Sequence, residues 1–120
     1  QILGQSFTHE VKPFEVEILV AEIGFDQSGD QLFHIMYDGT LVDESGFCAL
    51  GGDAESITGR LSGTWSSTDD LSSVVRKCLS ALGGADRVLQ AADTEVAVLE
   101  RGQQRRCFRR FDDAEVAALL

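Results

Sequence analysis

The chain has 120 residues, with 20 acidic and 10 basic side chains, and a formal net charge of −10. Hydrophobic residues make up 43% of it and proline occurs once, which is the makeup of a packed globular chain of one domain at most, and excludes a disordered acidic tail. Apolar runs such as Ile18 to Ala21 fall far short of the ~20 residues of a bilayer-spanning helix, and no basic segment leads an apolar one, which excludes membrane and secretion readings.

In chain order, Ile2, Leu3 and Phe7 fall on helical spacing, and Lys12-Pro13 stops any helix because the residue before proline is pushed toward extended geometry. Gln1, which is not Met, stands within what reads as the end of a helix, so the chain reads as a fragment. Glu15 to Ile23 predicts a strand that alternates at first and turns apolar on both faces at Leu19 and Ala21, so its far half is expected to be covered on both sides. A glycine-containing connection, Gly24 to Asp30, leads to a second strand over Leu32 to Tyr37. Asp38-Gly39 supplies the positive φ values of a two-residue type I′ turn, which pairs Thr40 to Val42 back on Ile35 to Tyr37. Another short strand is expected over Phe47 to Leu50, ending at Gly51-Gly52.

From Asp53 the apolar period changes to that of a helix. Ala54, Ile57, Leu61 and Trp65 share one face, and Gly59 and Gly63, each costing about 1 kcal/mol of helix stability, imply close packing. Leu71, Val74, Val75, Cys78, Leu79 and Leu82 mark a second helix, with Ser67 as its cap, Asp69 and Asp70 at its positive end, and Gly83-Gly84 as its stop. Asp93 to Glu100 and Gln104 to Phe111 predict a hairpin around Arg101-Gly102-Gln103. A last helix opens with a capping box, Asp112 and Glu115, and a staple of Phe111 on Val116. Antiparallel strands interrupted by a helix pair indicate an α+β layered fold.

The chemistry-bearing residues are sparse. Cys48, Cys78 and Cys107 are odd in number and never in C-x-x-C spacing, which argues against a zinc site or a disulfide framework and for reduced, mostly buried thiols in a cytosolic protein. Five of the ten basic residues lie within 101 to 110, but Arg105 and Arg109 project to one strand face and Arg106 and Arg110 to the other. The rest of the chain, at −15, repels nucleic acid, so these arginines are read as partners of carboxylates within the chain or across a subunit contact. His9 and His34 lack a second ligand at i+3 or i+4, and His34 is read as a hydrogen-bonded sheet histidine. Gly51-Gly52 could place an anion at a helix start, but Asp53 and Glu55 oppose it, and a tight strand-to-helix turn accounts for them.

Gly39-Thr40 invites comparison with self-processing hydrolases, which expose a catalytic N-terminal threonine at a Gly-Thr bond and need a lysine on a nearby strand. Lys77, the only lysine beyond Thr40, falls on a helix, and Asp38-Gly39 already serves as a turn. No residue is therefore assigned a catalytic, cofactor-binding or metal-ligating role.

The segments Lys12 to Glu17 (KPFEVE), Val20 to Gly24 (VAEIG), Tyr37 to Thr40 (YDGT), Ala49 to Gly52 (ALGG), Thr94 to Glu100 (TEVAVLE) and Arg105 to Phe111 (RRCFRRF) resemble, in order and spacing, the C-terminal half of an actinobacterial 20S proteasome α subunit. The resemblance covers nearly all of residues 1–120, taken as the C-terminal portion of a single domain. It implies a four-layer αββα sandwich of the N-terminal-nucleophile hydrolase type, in which the helix pair 53 to 82 covers one sheet. It further implies a non-catalytic subunit of a homo-heptameric outer ring, stacked on catalytic β subunits in the cytoplasm. Such a ring gates the entry of unfolded protein substrates delivered by a ring ATPase. The gating segment and the activator pocket of that family fall before Gln1, and the loop Gly84 to Ala92 falls in a region of variable length. The rival readings are a catalytic β-type threonine hydrolase and a free-standing acidic protein-binding module. On the leading reading, 120 residues are about half of one domain, and alone they leave apolar sheet edges exposed.

Overall fold

The computed structural model describes residues 16–102 and 106–120. The helical spacing of residues 1–10, the Lys12-Pro13 stop, His9 and the hairpin tip at 103–105 lie outside the described residues. The elements are β1 (Ile18–Glu22), β2 (Gln31–Ile35), β3 (Leu41–Glu44), α1 (Ala54–Ser62), α2 (Leu71–Gly83), β4 (Ala97–Leu99), β5 (Phe108–Arg110) and α3 (Asp113–Leu119). Strands and helices alternate in blocks, as an α+β fold requires.

The first sheet is an antiparallel meander, β1-β2-β3, in which Val20 faces Phe33 and His34 faces Val42. Between β1 and β2, Gln27–Gly29 forms a single 3-10 turn whose start is held by Asp26, which accepts from the Ser28 amide. The β2–β3 turn differs from expectation. Among the described residues no non-glycine has positive φ, which excludes a type I′ turn with Asp38 left-handed. Instead Gly39 alone is left-handed, at φ 87°, in a three-residue loop in which the Met36 carbonyl accepts from the Gly39 amide at 2.9 Å. One extra loop residue slips the register by one, so Leu41 faces Ile35 rather than Met36, and every β3 side chain changes face. β2 accordingly ends at Ile35 and not at Tyr37.

After β3, Phe47 to Leu50 forms no strand among the described residues. Phe47 and Ala49 instead pack on the helix core of Ile57, Leu61 and Ala81. Gly46, at φ 89°, lies directly against the Trp65 indole, where an added Cβ would sit 2.8 Å from a ring carbon. Trp65 itself lies beyond α1, which ends at Ser62, and its amide caps the Leu61 carbonyl at 2.8 Å. Its ring meets Phe47 at 5.8 Å between centroids, a tilted aromatic pair.

α1 and α2 pack through Ile57, Leu61 and Ala81, and Arg60 Nε donates to the Ala81 carbonyl at 2.8 Å across the pair. Gly59 and Gly63 are not at close contacts, since a Cβ on either would meet nothing within 4 Å. The cap of α2 is Asp70, whose carboxylate accepts from the Ser73 amide at 2.8 Å, and not Ser67. Asp70 wins because its carboxylate sits one residue before the first helical position, where the orphan amides point. Asp69 accepts from the Ser66 amide and pairs with Lys77 at 2.6 Å. Gly84 ends the helix as expected, at φ 67°.

The second hairpin is shorter than its apolar pattern. Residues Ala91–Asp93 form a 3-10 turn closed by reciprocal bonds of Gln90 and Asp93, which delays β4 to Ala97. β4 and β5 then pair with Val98 opposite Arg109. α3 starts with the expected capping box, Asp112 accepting from the Glu115 amide and Glu115 from the Asp112 amide. Phe111 and Val116, the expected staple, are both buried.

Candidate functional site

The buried apolar side chains among the described residues are Ile57, Leu61, Val75, Leu79, Ala81, Phe111 and Val116, all on or beside helices. β1 is exposed along both faces, against the expectation that its far half is covered. Ile18, Leu19 and Val20 are 41 to 49% exposed, and Leu41 of β3 is 60% exposed. Ile18, Val20 and Leu41 share one face of the sheet and Leu19 lies on the other, so apolar side chains are open on both sides, and large exposed apolar surface marks places that take a partner.

The segment that invited a hydrolase reading is occupied otherwise. Asp38 Oδ1 accepts from the Thr40 amide at 2.9 Å, and hydrogen bonding by Thr40 holds the Asp38 carboxyl below its ordinary value. Lys77 lies on α2, committed to Asp69. Among the described residues no lysine is brought to Thr40.

Three of the five arginines within 101 to 110 pair with carboxylates, and Arg106 is in none of the described ion pairs. Arg101 forks onto Asp30, Nη1 and Nη2 donating to its two oxygens at 2.8 and 2.7 Å, and Nη1 also donates to the Gly24 carbonyl at 2.7 Å. That clasp joins the β1–β2 connection to the β4–β5 hairpin. Arg101, then the Gly24 amide, holds the Asp30 carboxyl at about 2. Arg109 spans Glu100 at 3.3 Å and Glu115, and its guanidinium lies 4.7 Å from the Phe111 ring centroid. Arg110 pairs with Glu95 on the other face. Arg105 lies outside the described residues.

His34 is hydrogen-bonded as expected, its Nε2 3.1 Å from Glu17 Oε2. The sheet also brings Glu44 and Cys48 to it, and the donor atoms of His34, Glu44 and Cys48 lie within 4.8 Å of one another. Burial, followed by Glu44, pushes the Cys48 thiol up to about 11, and burial raises that of Cys78. All three cysteines are free and partly buried.

A family model described as proteasome subunit matches residues 1–99. The chain belongs to the proteasome subunit family. Its relatives include proteasome subunit alpha of Acidimicrobium ferrooxidans, 46% identical over 120 residues, which aligns all of this chain with 52% of that protein. Proteasome subunit alpha of Kineococcus radiotolerans is 42% identical over 130 residues, with 54% of it covered. The Salinispora arenicola protein of the same name is 44% identical over 126 residues, with 46% covered. The chain thus spans about half the length of the curated relatives it matches.

For a proteasome family chain the layout has a plain physical sense. Ion pairs such as Arg101–Asp30 and Arg109–Glu115 fix one element on another, and apolar side chains are uncovered on β1 and β3 as well as at Phe25, at Val88 and, on α2, at Leu71 and Leu82. No helix among the described residues is long and apolar enough to cross a membrane. Sequence reasoning anticipated that the arginines within 101 to 110 meet carboxylates, and the structure supplies the partners Asp30, Glu100, Glu115 and Glu95 for three of them. It missed the gathering at His34, because the expected turn would have put Glu44 on the opposite face of the sheet.

Proposed function

We propose that the chain is the C-terminal half of a non-catalytic α-ring subunit of a 20S proteasome core, a structural and gating component of ATP-dependent protein degradation. The observation that carries this reading is 46% identity, across the whole chain, to a protein named proteasome subunit alpha. The order of the motifs from Lys12 to Phe111 supports the C-terminal placement.

On this reading the strands and helices belong to a four-layer αββα sandwich, and the bare faces of β1 and β3 bury against the remainder of that domain. At about 25 cal/mol per Å² of apolar surface, covering one such aliphatic side chain contributes about 1.5 to 3 kcal/mol. The partners are other α subunits in a homo-heptameric ring, the catalytic β subunits beneath it, a ring ATPase that engages regions outside this chain, and unfolded protein substrates. The setting is the cytoplasm. No residue of this chain takes part in peptide-bond cleavage, consistent with Thr40 held in a turn and Lys77 paired with Asp69.

The test is co-expression of the complete gene product with its β subunit, followed by native mass spectrometry and a peptidase assay. A stacked-ring particle whose activity survives Thr40→Ala in this chain is expected. Absence of any ring particle overturns the subunit assignment, and loss of peptidase activity in an intact Thr40→Ala particle overturns the non-catalytic one.

A further inference from the structure

The first sheet presents its mixed donor set on one face. Side chains alternate along strands, and Leu32 faces Glu44 while His34 faces Val42, so His34 and Glu44 are diagonal neighbours on the same face. Glu17, one residue before β1, reaches His34 Nε2 at 3.1 Å, with side chains 33 and 13% exposed. Cys48, beyond β3, returns to the same place, so the residue before β1, the strands β2 and β3 and the chain leading to α1 converge on one imidazole.

We propose that His34, Glu44 and Cys48, with Glu17 as fourth donor, bind one divalent cation of the zinc class. The donors are an imidazole nitrogen, carboxylate oxygens and a thiol sulfur, the mixture zinc accepts and calcium or magnesium does not. Tetrahedral zinc, with bonds of about 2.3 Å to sulfur and about 2.0 Å to nitrogen, sets its ligand atoms about 3.5 Å apart. The donor atoms of His34, Glu44 and Cys48, within 4.8 Å of one another, already lie close to that spacing, and Glu17 lies 3.1 Å from the imidazole.

Charge argues the same way. A histidine paired with Glu17 accounts for one carboxylate and leaves Glu44 and Cys48 turned toward the same ring. Among the described ion pairs, neither Glu17 nor Glu44 meets a lysine or arginine. A cation bound to Nε2 and the thiolate sulfur satisfies all four groups at once, the Cys48 proton passing to solvent as the metal–sulfur bond forms. The site staples β1, β2 and β3 to the segment 47–50, which makes no strand pairing of its own among the described residues. It stands on these residues alone and not on the ring assignment.

The experiment titrates cobalt(II) and zinc into the metal-stripped, complete gene product and its variants. One metal per chain is expected, with the cobalt form showing a thiolate charge-transfer absorption in the near ultraviolet. Cys48→Ser removes that band and weakens zinc binding by about 100-fold or more, at or beyond the 10- to 100-fold typical of supporting residues. Cys78→Ser and Cys107→Ser keep the band. Should Cys48→Ser lose its circular dichroism, Glu44→Gln and His34→Gln are read instead, each shifting the cobalt spectrum and weakening zinc. Zinc that stays substoichiometric, or binds Cys48→Ser and Glu44→Gln as tightly as the parent, overturns the site.

Discussion

The helix pair and the three-stranded sheet both carry apolar side chains but meet opposite surroundings. Ile57 and Leu61 of α1 find Ala81 of α2 within the same chain and are buried. Ile18, Leu19 and Val20 of β1 belong to a segment more apolar than α1, yet both faces of that strand are open. An amphipathic helix needs one partner and the neighbouring helix provides it. A sheet apolar on both faces needs two covering layers.

The contrast can be broken first at its strong side. Leu61→Ala is expected to cost about 3 kcal/mol of stability, read by urea unfolding of this chain. Ile18→Ala, made on the open strand, is expected to change the same midpoint by about 0.5 kcal/mol or less, while reducing ring yield in the complete particle. Equal losses for the two in the isolated chain would mean that β1 is covered after all.

Gly46→Ala comes next. It forces a left-handed backbone on alanine and drives a methyl into the Trp65 ring, an expected cost of about 2 kcal/mol. Trp65 is the single tryptophan, so a shifted emission maximum reports the displaced indole directly. Smaller, and opposite in sign, is Gly59→Ala, with an expected gain of about 1 kcal/mol because the new methyl meets nothing. The gain should appear in the unfolding midpoint of the chain. If it becomes a loss in the assembled particle, the open side of α1 is covered there.

The smallest effect belongs to the clasp between the two hairpins. Asp30 titrates near 2 in the folded chain against an ordinary 3.8, because Arg101 and the Gly24 amide favour its charged form. The sign follows from a depressed folded value. The contribution is complete above pH 4 and is lost as pH falls toward 2. Protection of the Gly24 amide from hydrogen exchange should weaken across that window, and Asp30→Asn should remove the pH dependence.

Legibility in the sequence followed the range of the forces involved. The capping box at Asp112 and Glu115, the α2 stop at Gly84 and the apolar stripes of both long helices are local matters, and local residues declare them. The Asp38-Gly39 turn was legible as a turn but not as to loop length, because Asp-Gly serves a three-residue loop as well as a two-residue one. That one residue decided which face Glu44 occupies, and with it the donor cluster around His34. Phe47 to Leu50 has the composition of a strand, but with no paired neighbour it packs on helices instead. The cover of β1 was not legible at all, since periodicity tells how many faces are apolar and not what meets them.

The Arg101–Asp30 fork joins residues 71 apart in sequence, with both long helices in the span it closes. Closing so long a segment costs chain entropy that no local contact offsets, so it follows the collapse of the helix pair and does not nucleate it. The two hairpins therefore form separately and are latched late. In pulse-labelled refolding the Gly24 amide should gain protection after the amides of α2, and an unfolding chain should release the latch before it loses its helices.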